Sequence, residues 1–290
     1  MGLRLKFNLV LLIVFALGLG ITGWLSHSLL HQNAREEVLR NAGVMMEAAL
    51  SMRGYTIKQI RPLVPFNETV FHPQSVPAYS ATEIMNSLRE KYTDYSYKEA
   101  TLNPTNPRNR AVEWETDIVN EFRNHPDRSE ISSTRETPTG RSLYLARPLQ
   151  IIDKACLACH TTAAAAPPAM VKIYGANNGF GWKHMEIVGA QIVSVPMALP
   201  IQNANRAFYT FMGSLTAVFV ALFIILNIMM SALIVRPITK MSEAANEIST
   251  GNMDIPEFEE KGGDEVSLLA KSFNRMRRSL EKAIELIEKK

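Results

Sequence analysis

Two stretches of the chain carry no Asp, Glu, Lys or Arg: the residues between Lys6 and Arg35, and those between Arg206 and Arg236. Within them, "NLVLLIVFALGLGITGWLSHSLL" and "FYTFMGSLTAVFVALFIILNIMMSALIV" are almost wholly apolar. A helix of roughly 20 apolar residues covers the hydrocarbon core of a bilayer, so the pattern predicts transmembrane helices over 8–30 and 207–235. The first run is longer than the ~7–15-residue core of a signal peptide, and no A-x-A-like cleavage site follows it; it reads as an uncleaved anchor. Arg4 and Lys6 precede the first run, and Arg236 and Lys240 follow the second. The positive-inside rule therefore puts 1–7 and 236–290 in the cytoplasm and 31–206 outside it. The expected location is the bacterial inner (cytoplasmic) membrane, crossed twice, with the middle segment in the periplasm.

The middle segment alternates helix and strand patterns. "NAREEVLRNAGVMMEAALSMRGYTIKQI" continues the first span as a helix, and Val38, Ala42, Met45, Ala49, Met52 and Thr56 share one face at spacings of four and three. "PAYSATEIMNSLREKY" predicts a helix opened by a capping box from Ser80 to Glu83. "YSYKEATL" predicts a strand stopped by "NPTNP", and "NRAVEWETDIVNEFRN" an amphipathic helix. "EISSTRE", "TPTG" and "RSLYLARPLQI" predict a hairpin, and "EIVGAQIVSV" a buried strand. The expected fold class is α+β for this domain.

Beyond the second span the period changes. Ile238, Met241, Ala245 and Ile248 take heptad positions; "GNMDIPEFEEKGG" breaks the helix; Val266, Leu269, Phe273, Met276, Leu280, Ala283 and Ile287 then alternate by three and four. Two short heptad helices after a membrane span bury their seams by association.

Charge narrows the function classes little. Residues 31–206 hold 19 basic and 17 acidic side chains, a near balance that offers no nucleic-acid patch. Ser/His/Asp, P-loop and metallohydrolase patterns are absent from the sequence, so no enzyme is expected.

The two cysteines change the picture. Both lie in "KACLACHTT", as Cys156 and Cys159, with His160 directly behind. A disulfide would close a tiny ring with little entropic gain. A structural zinc site takes four ligands, and adjacent residues 159 and 160 do not both reach one tetrahedral ion comfortably. A thioredoxin-like pair needs a βαβ context that the segment lacks, and it gives the histidine no role. C-x-x-C-H is instead the attachment signature of c-type haem: the thiols match the separation of the vinyl groups, and the next imidazole becomes the proximal iron ligand. Such attachment happens outside the cytoplasm, which agrees with the topology read from hydropathy. One covalent haem c is therefore expected.

The second axial position governs potential and ligand access. The face carrying Met45, Ala49 and Met52 alternates thioethers with small residues and could admit a flat macrocycle; the alternative is that these methionines pack a core or a dimer seam. The loop "YGANNGFGW" can run close to a flat ligand, with Tyr174, Phe180 and Trp182 as pocket candidates, and Arg135, Arg141 and Arg147 are candidates for facing the propionates.

"RPITKM", "STGN" and "EFEEKGGDEVSLLAKSFNRM" resemble a HAMP domain, with Pro237, Gly251, Asp264, Glu265 and Phe273 to Met276 carrying the likeness. "MRGYT", "YKEATLNPTN", "WETDIVNEF", "CLACH" and "YGANNGFGW" make the external segment similar to the PAS-like c-type-haem sensor domains of bacterial chemoreceptors and histidine kinases. The resemblance implies His160 as proximal ligand. It also implies a distal side chain on the first external helix, which moves the choice to Met52, then Met45, with His72 and His184 behind them. It further implies a homodimer joined through HAMP and the membrane helices, and a separate cytoplasmic kinase or other signalling partner. The expected function is a sensor of redox state or of a diatomic gas. A membrane-anchored monohaem electron carrier is the rival, and for that the HAMP segment would be superfluous.

Overall fold

The computed structural model describes residues 2–64, 69–259 and 262–288; Glu260 and Lys261 of the predicted connector lie outside them. The chain forms two compact units, His27–Phe208, and Met1–Ser26 together with Tyr209–Lys290.

Four strands build the first unit: β1 (Ser96–Thr101), β2 (Ile131–Thr137), β3 (Gly140–Gln150) and β4 (Ile187–Pro196). They form one antiparallel sheet in the order β1-β4-β3-β2. Alternation along the strands separates two apolar faces, because successive side chains point to opposite sides. Tyr97, Leu143, Leu145, Val193 and Val195 face one way, with Leu143 opposite Val195 and Leu145 opposite Val193. Helix α1 (Leu3–Tyr55) and helix α2 (Pro77–Lys91) cover this face through Val38, Ala42, Met46, Ala49, Ala81 and Met85. Ala100, Ala146, Ala190 and Ile192 face the other way, under helix α3 (Glu113–Asn124), whose Ile118, Val119 and Phe122 are buried. Full burial of such a Leu, Val or Phe side chain stabilises the fold by roughly 1.5–3 kcal/mol, so α3 is fixed mainly by these three.

The predicted strands and the hairpin across Pro138 and Thr139 are where the sequence puts them. Two boundaries and one buried stripe differ. Helix α2 begins at Pro77, whose fixed φ suits the first turn; Ser80 donates to the Gln74 carbonyl instead of capping the helix. Helix α3 begins at Glu113, and the Glu115 carboxylate accepts the Val112 amide at 2.9 Å. On α1 the buried stripe runs Ala34, Val38, Ala42, Met46, Ala49 and Thr56. It advances by four from Ala34 to Met46, so Met46 enters the core, while Met45 and Met52 pack at its edge.

Two short helices, α4 (Leu157–His160) and α5 (Pro168–Tyr174), lie between β3 and β4 in the sequence. The second unit holds the apolar parts of α1 and of helix α6 (Ala198–Met230). Both helical runs are long and apolar enough to cross a membrane. Phe15 stacks on Phe219 at 4.7 Å. A π-turn over Ser231–Val235 leads into helix α7 (Arg236–Ser249), and helix α8 (Glu265–Glu288) packs against it. Helix α7 buries Met241, Ala244 and Ile248; Ala244 takes the place expected of Ala245, and Ile238 stays exposed. The connector is tied to α8. Asn274, fully buried, accepts the Phe258 amide at 3.1 Å and donates to its carbonyl at 2.9 Å, and Phe273 meets the Phe258 ring edge-on. Leu269, Met276, Leu280 and Ile287 of the predicted seam are exposed on the single chain.

Candidate functional site

The C-x-x-C-H segment is a 3₁₀ turn (Lys154–Cys156) running into the single-turn helix α4 (Leu157–His160). The Asp153 carboxylate caps it by accepting the Ala155 amide at 2.8 Å. Both thiols are free and half-buried. Burial raises the pKa of each, with Asp153 adding to the effect at Cys156 and Arg61 opposing it at both.

Cys156, Cys159 and His160 together line a cavity of about 340 Å³. Its other walls include Ile57, Phe71, Tyr79, Met170, Tyr174 and Trp182, with Arg53, Arg61, Arg108 and Glu99 as charged members. The residue types fit a haem attached through two thioethers: two thiols three residues apart, an imidazole beside them, apolar and aromatic walls, and cationic groups for acidic substituents.

The orientation of His160 is over-determined. Its Nδ1 lies 2.7 Å from the Gly179 carbonyl and 3.3 Å from Thr105 Oγ1, and its ring stacks on Trp182 at 3.9 Å, 13° from parallel. A carbonyl only accepts, so Nδ1 carries the proton and donates, and Nε2 keeps its lone pair. Burial lowers the imidazole pKa, partly opposed by the Gly179 bond, so the ring is held neutral. A neutral imidazole tied at one nitrogen is the state in which histidine binds metals.

The loop that supplies the carbonyl is pinned in turn. Asn103 donates to Phe180 O at 3.1 Å and accepts the Gly179 amide at 3.1 Å. Gly181 and Trp182 amides donate to the carbonyls of Thr161 and His160. Gly179 has φ +84°, and a Cβ there would overlap Thr105 Oγ1 and stand 2.7 Å from Thr105 Cα. Only glycine fits.

A largely buried ion pair also lines the cavity. One Arg53 nitrogen donates to both Glu99 oxygens at 2.6 Å, and Tyr97 donates to the same carboxylate at 2.8 Å. Gln191 donates to the Tyr97 oxygen at 3.3 Å. Burial disfavours the Arg53 charge, but Glu99 more than offsets it and the pKa is raised. Burial, then Glu99, pushes the Tyr97 hydroxyl far up, so it stays protonated and donates.

The remaining predicted residues are placed as follows. Tyr174 and Trp182 line the cavity; Phe180 does not, and contributes only its carbonyl. Met52, Met45 and Ala49 belong to the core cluster and do not line it; α1 and the π-turn that continues it present Arg53 and Ile57 there. His72 does not line the cavity either, and His184 lies 3.0 Å from the Ile152 carbonyl. Arg135 stands over the Trp114 ring, Arg141 pairs with Glu136, and Arg147 pairs with Glu130 and Glu47. The cavity's cations are Arg53, Arg61 and Arg108 instead. The strand arginines are engaged elsewhere, Arg135 by Trp114, Arg141 by Glu136, and Arg147 by Glu130 and Glu47, whereas Arg53 and Arg61 stand at and just beyond the end of α1. Asn103, Thr105 and Gly179 were hidden inside segments that read simply as a turn and a glycine-rich loop.

Comparison with known proteins gives two matching family models. One, Tll0287-like, covers residues 31–196, more than half of the chain; the other, the HAMP domain, covers residues 229–282. Among solved structures the chain is similar to the cyanobacterial heme-protein Tll0287, at 15% identity over 55% of this chain and 95% of that one, with a TM-score of 0.44. No curated protein matches. The chain belongs to the Tll0287-like family, and a HAMP domain follows the family segment.

Proposed function

We propose that this chain is a membrane-bound sensor carrying one haem c in a PAS-like periplasmic domain, and that it signals through HAMP as a homodimer to a separate cytoplasmic partner. Cys156 and Cys159 would hold the haem through two thioether links. His160 is the proximal iron ligand. When bound, the group would supply a one-electron couple and an iron at which a diatomic gas could bind. The observation that carries the reading is the His160 arrangement, a neutral imidazole donating from Nδ1 to Gly179 O on the same wall as both free thiols. Family membership supports it, since the protein that gives the family its name is described as a heme-protein. The HAMP match supports a signalling role over electron transport.

The residues supply a path for the signal. Arg53 lies on α1, the helix that continues from the first apolar run, and grips Glu99 on β1 at the cavity wall. A charge change at about 10 Å and an effective dielectric near 20 is worth roughly 1.7 kcal/mol, which biases a two-state helix position by about 20-fold.

The test uses the absence of other cysteines. Leu269→Cys places a single free thiol on the exposed face of α8. In membranes from cells that mature c-type cytochromes, the rate of α8–α8 cross-linking should differ severalfold between ferric and ferrous samples, or on adding nitric oxide or carbon monoxide. His160→Ala should abolish that difference. Equal rates under all conditions would overturn the sensor reading.

A further inference from the structure

A second pair of imidazoles lies outside the cavity. His27 and His31 sit four residues apart on α1, at the external end of the first apolar run, with ring centroids 4.3 Å apart and planes tilted by 32°. Residues at this spacing share a helix face, but here the rings are also held. His31 Nε2 is 2.9 Å from Asn205 Oδ1 of α6, and the Phe208 ring meets His27 edge-on at 5.5 Å. All four residues belong to one compact unit. Neither histidine lines the cavity described above.

We propose that His27 and His31 chelate a divalent transition-metal ion of the borderline class that imidazole suits, Cu²⁺, Ni²⁺ or Zn²⁺. Two histidines at i and i+4 on one helix face are a bidentate arrangement that zinc enzymes use, and imidazole affinity peaks at Cu²⁺ in the first-row series. Asn205 acts as the positioning residue. Its Oδ1 accepts the His31 Nε2 proton, which leaves Nδ1 unprotonated as the ligating atom, in the manner of an outer-shell partner that fixes the tautomer. Phe208 supplies the apolar wall that holds the His27 ring beside it. Among the described residues no group of three or more His, Cys, Asp or Glu is gathered around an ion site, so two imidazoles are the protein ligands and water completes the shell. An ion here would fix the middle of α1 at the point where Asn205, near the start of α6, meets it.

The experiment titrates the full chain in detergent with Cu²⁺, reading electron paramagnetic resonance and competition against a colorimetric chelator, with His27→Ala, His31→Ala, Asn205→Ala and the double surface control His72→Ala/His184→Ala. The expected result is one Cu²⁺ per chain with two-nitrogen hyperfine structure. Either His27→Ala or His31→Ala should weaken binding at least tenfold and leave one nitrogen; Asn205→Ala should weaken it severalfold with both nitrogens kept; the surface control should bind like the unaltered chain. Circular dichroism of each variant excludes misfolding as the cause of a loss. Unchanged affinity in both single histidine variants, or loss of binding only in the surface control, would overturn the site. Cys156 and Cys159 are alkylated in any chain without haem, so that these thiols do not compete for Cu²⁺.

Discussion

His160 is constrained by three neighbours of different chemistry: the Gly179 carbonyl, the Thr105 hydroxyl and the face of Trp182. The weakest point is Gly179, whose positive φ and contact with Thr105 leave no room for a side chain. Gly179→Ala should displace the carbonyl, at a cost of about 1–3 kcal/mol of strain. It should lower the yield of haem-bearing chain and, in what remains, shift the visible spectrum as the imidazole loses its orientation. A spectrum and yield equal to those of the unaltered chain would remove Gly179 from the account. Arg53 and Glu99 make a second residue-level case. Arg53→Met strands a carboxylate that is 1% exposed, and removing one member of a buried pair costs about 3–5 kcal/mol. Arg53→Met with Glu99→Leu should recover most of the lost thermal stability, a coupling that a double-mutant cycle reads directly. At this scale C-x-x-C-H was legible because its residues are contiguous. Asn103, Thr105 and Gly179 were not, since their roles depend on a contact between segments more than 70 residues apart.

At the scale of elements, turn signals and apolar runs identified the four strands; β4 is buried on both faces and so reads as a continuous apolar run. The helix stripes were read less well. A spacing of three or four is equally compatible with Met45 or Met46, and the packing of α1 on the sheet selects Met46. Met52 packs at the edge of that core and does not line the cavity, so Met52→Ala should leave any weak red-edge band of the ferric spectrum unchanged while lowering thermal stability. Disappearance of such a band would restore Met52 as the distal ligand. Helix α8 yields a pH prediction. Asp264 caps it, accepting the Ser267 amide at 2.8 Å, and its pKa is lowered, first by the Ser267 side-chain hydrogen bond and then by that amide. A lowered folded pKa contributes stability that is present above the ordinary carboxylate value near 4 and is lost as pH falls through the lower folded value. The far-ultraviolet helix signal should drop below about pH 4. Asp264→Ala should show the loss already at neutral pH, with no further drop from this group on acidification.

For the whole molecule, hydropathy gave two spans and the heptads gave the module that follows them, both recovered as long apolar helices and a HAMP match. The connector was unreadable as structure, because Asn274 and Phe258 meet through backbone hydrogen bonds that no periodicity encodes. All of the signalling account depends on what Cys156, Cys159 and His160 hold. The most direct measurement is the intact mass of the denatured chain, with a haem-stained denaturing gel beside it, made from cells with c-type maturation active. The account predicts the 32.4 kDa chain plus the mass of one haem, a stained band at that size, and loss of both in Cys156→Ser with Cys159→Ser. A chain at its bare mass, or two hydrogens lighter through a Cys156–Cys159 disulfide, from cells that mature other c-type cytochromes would contradict it.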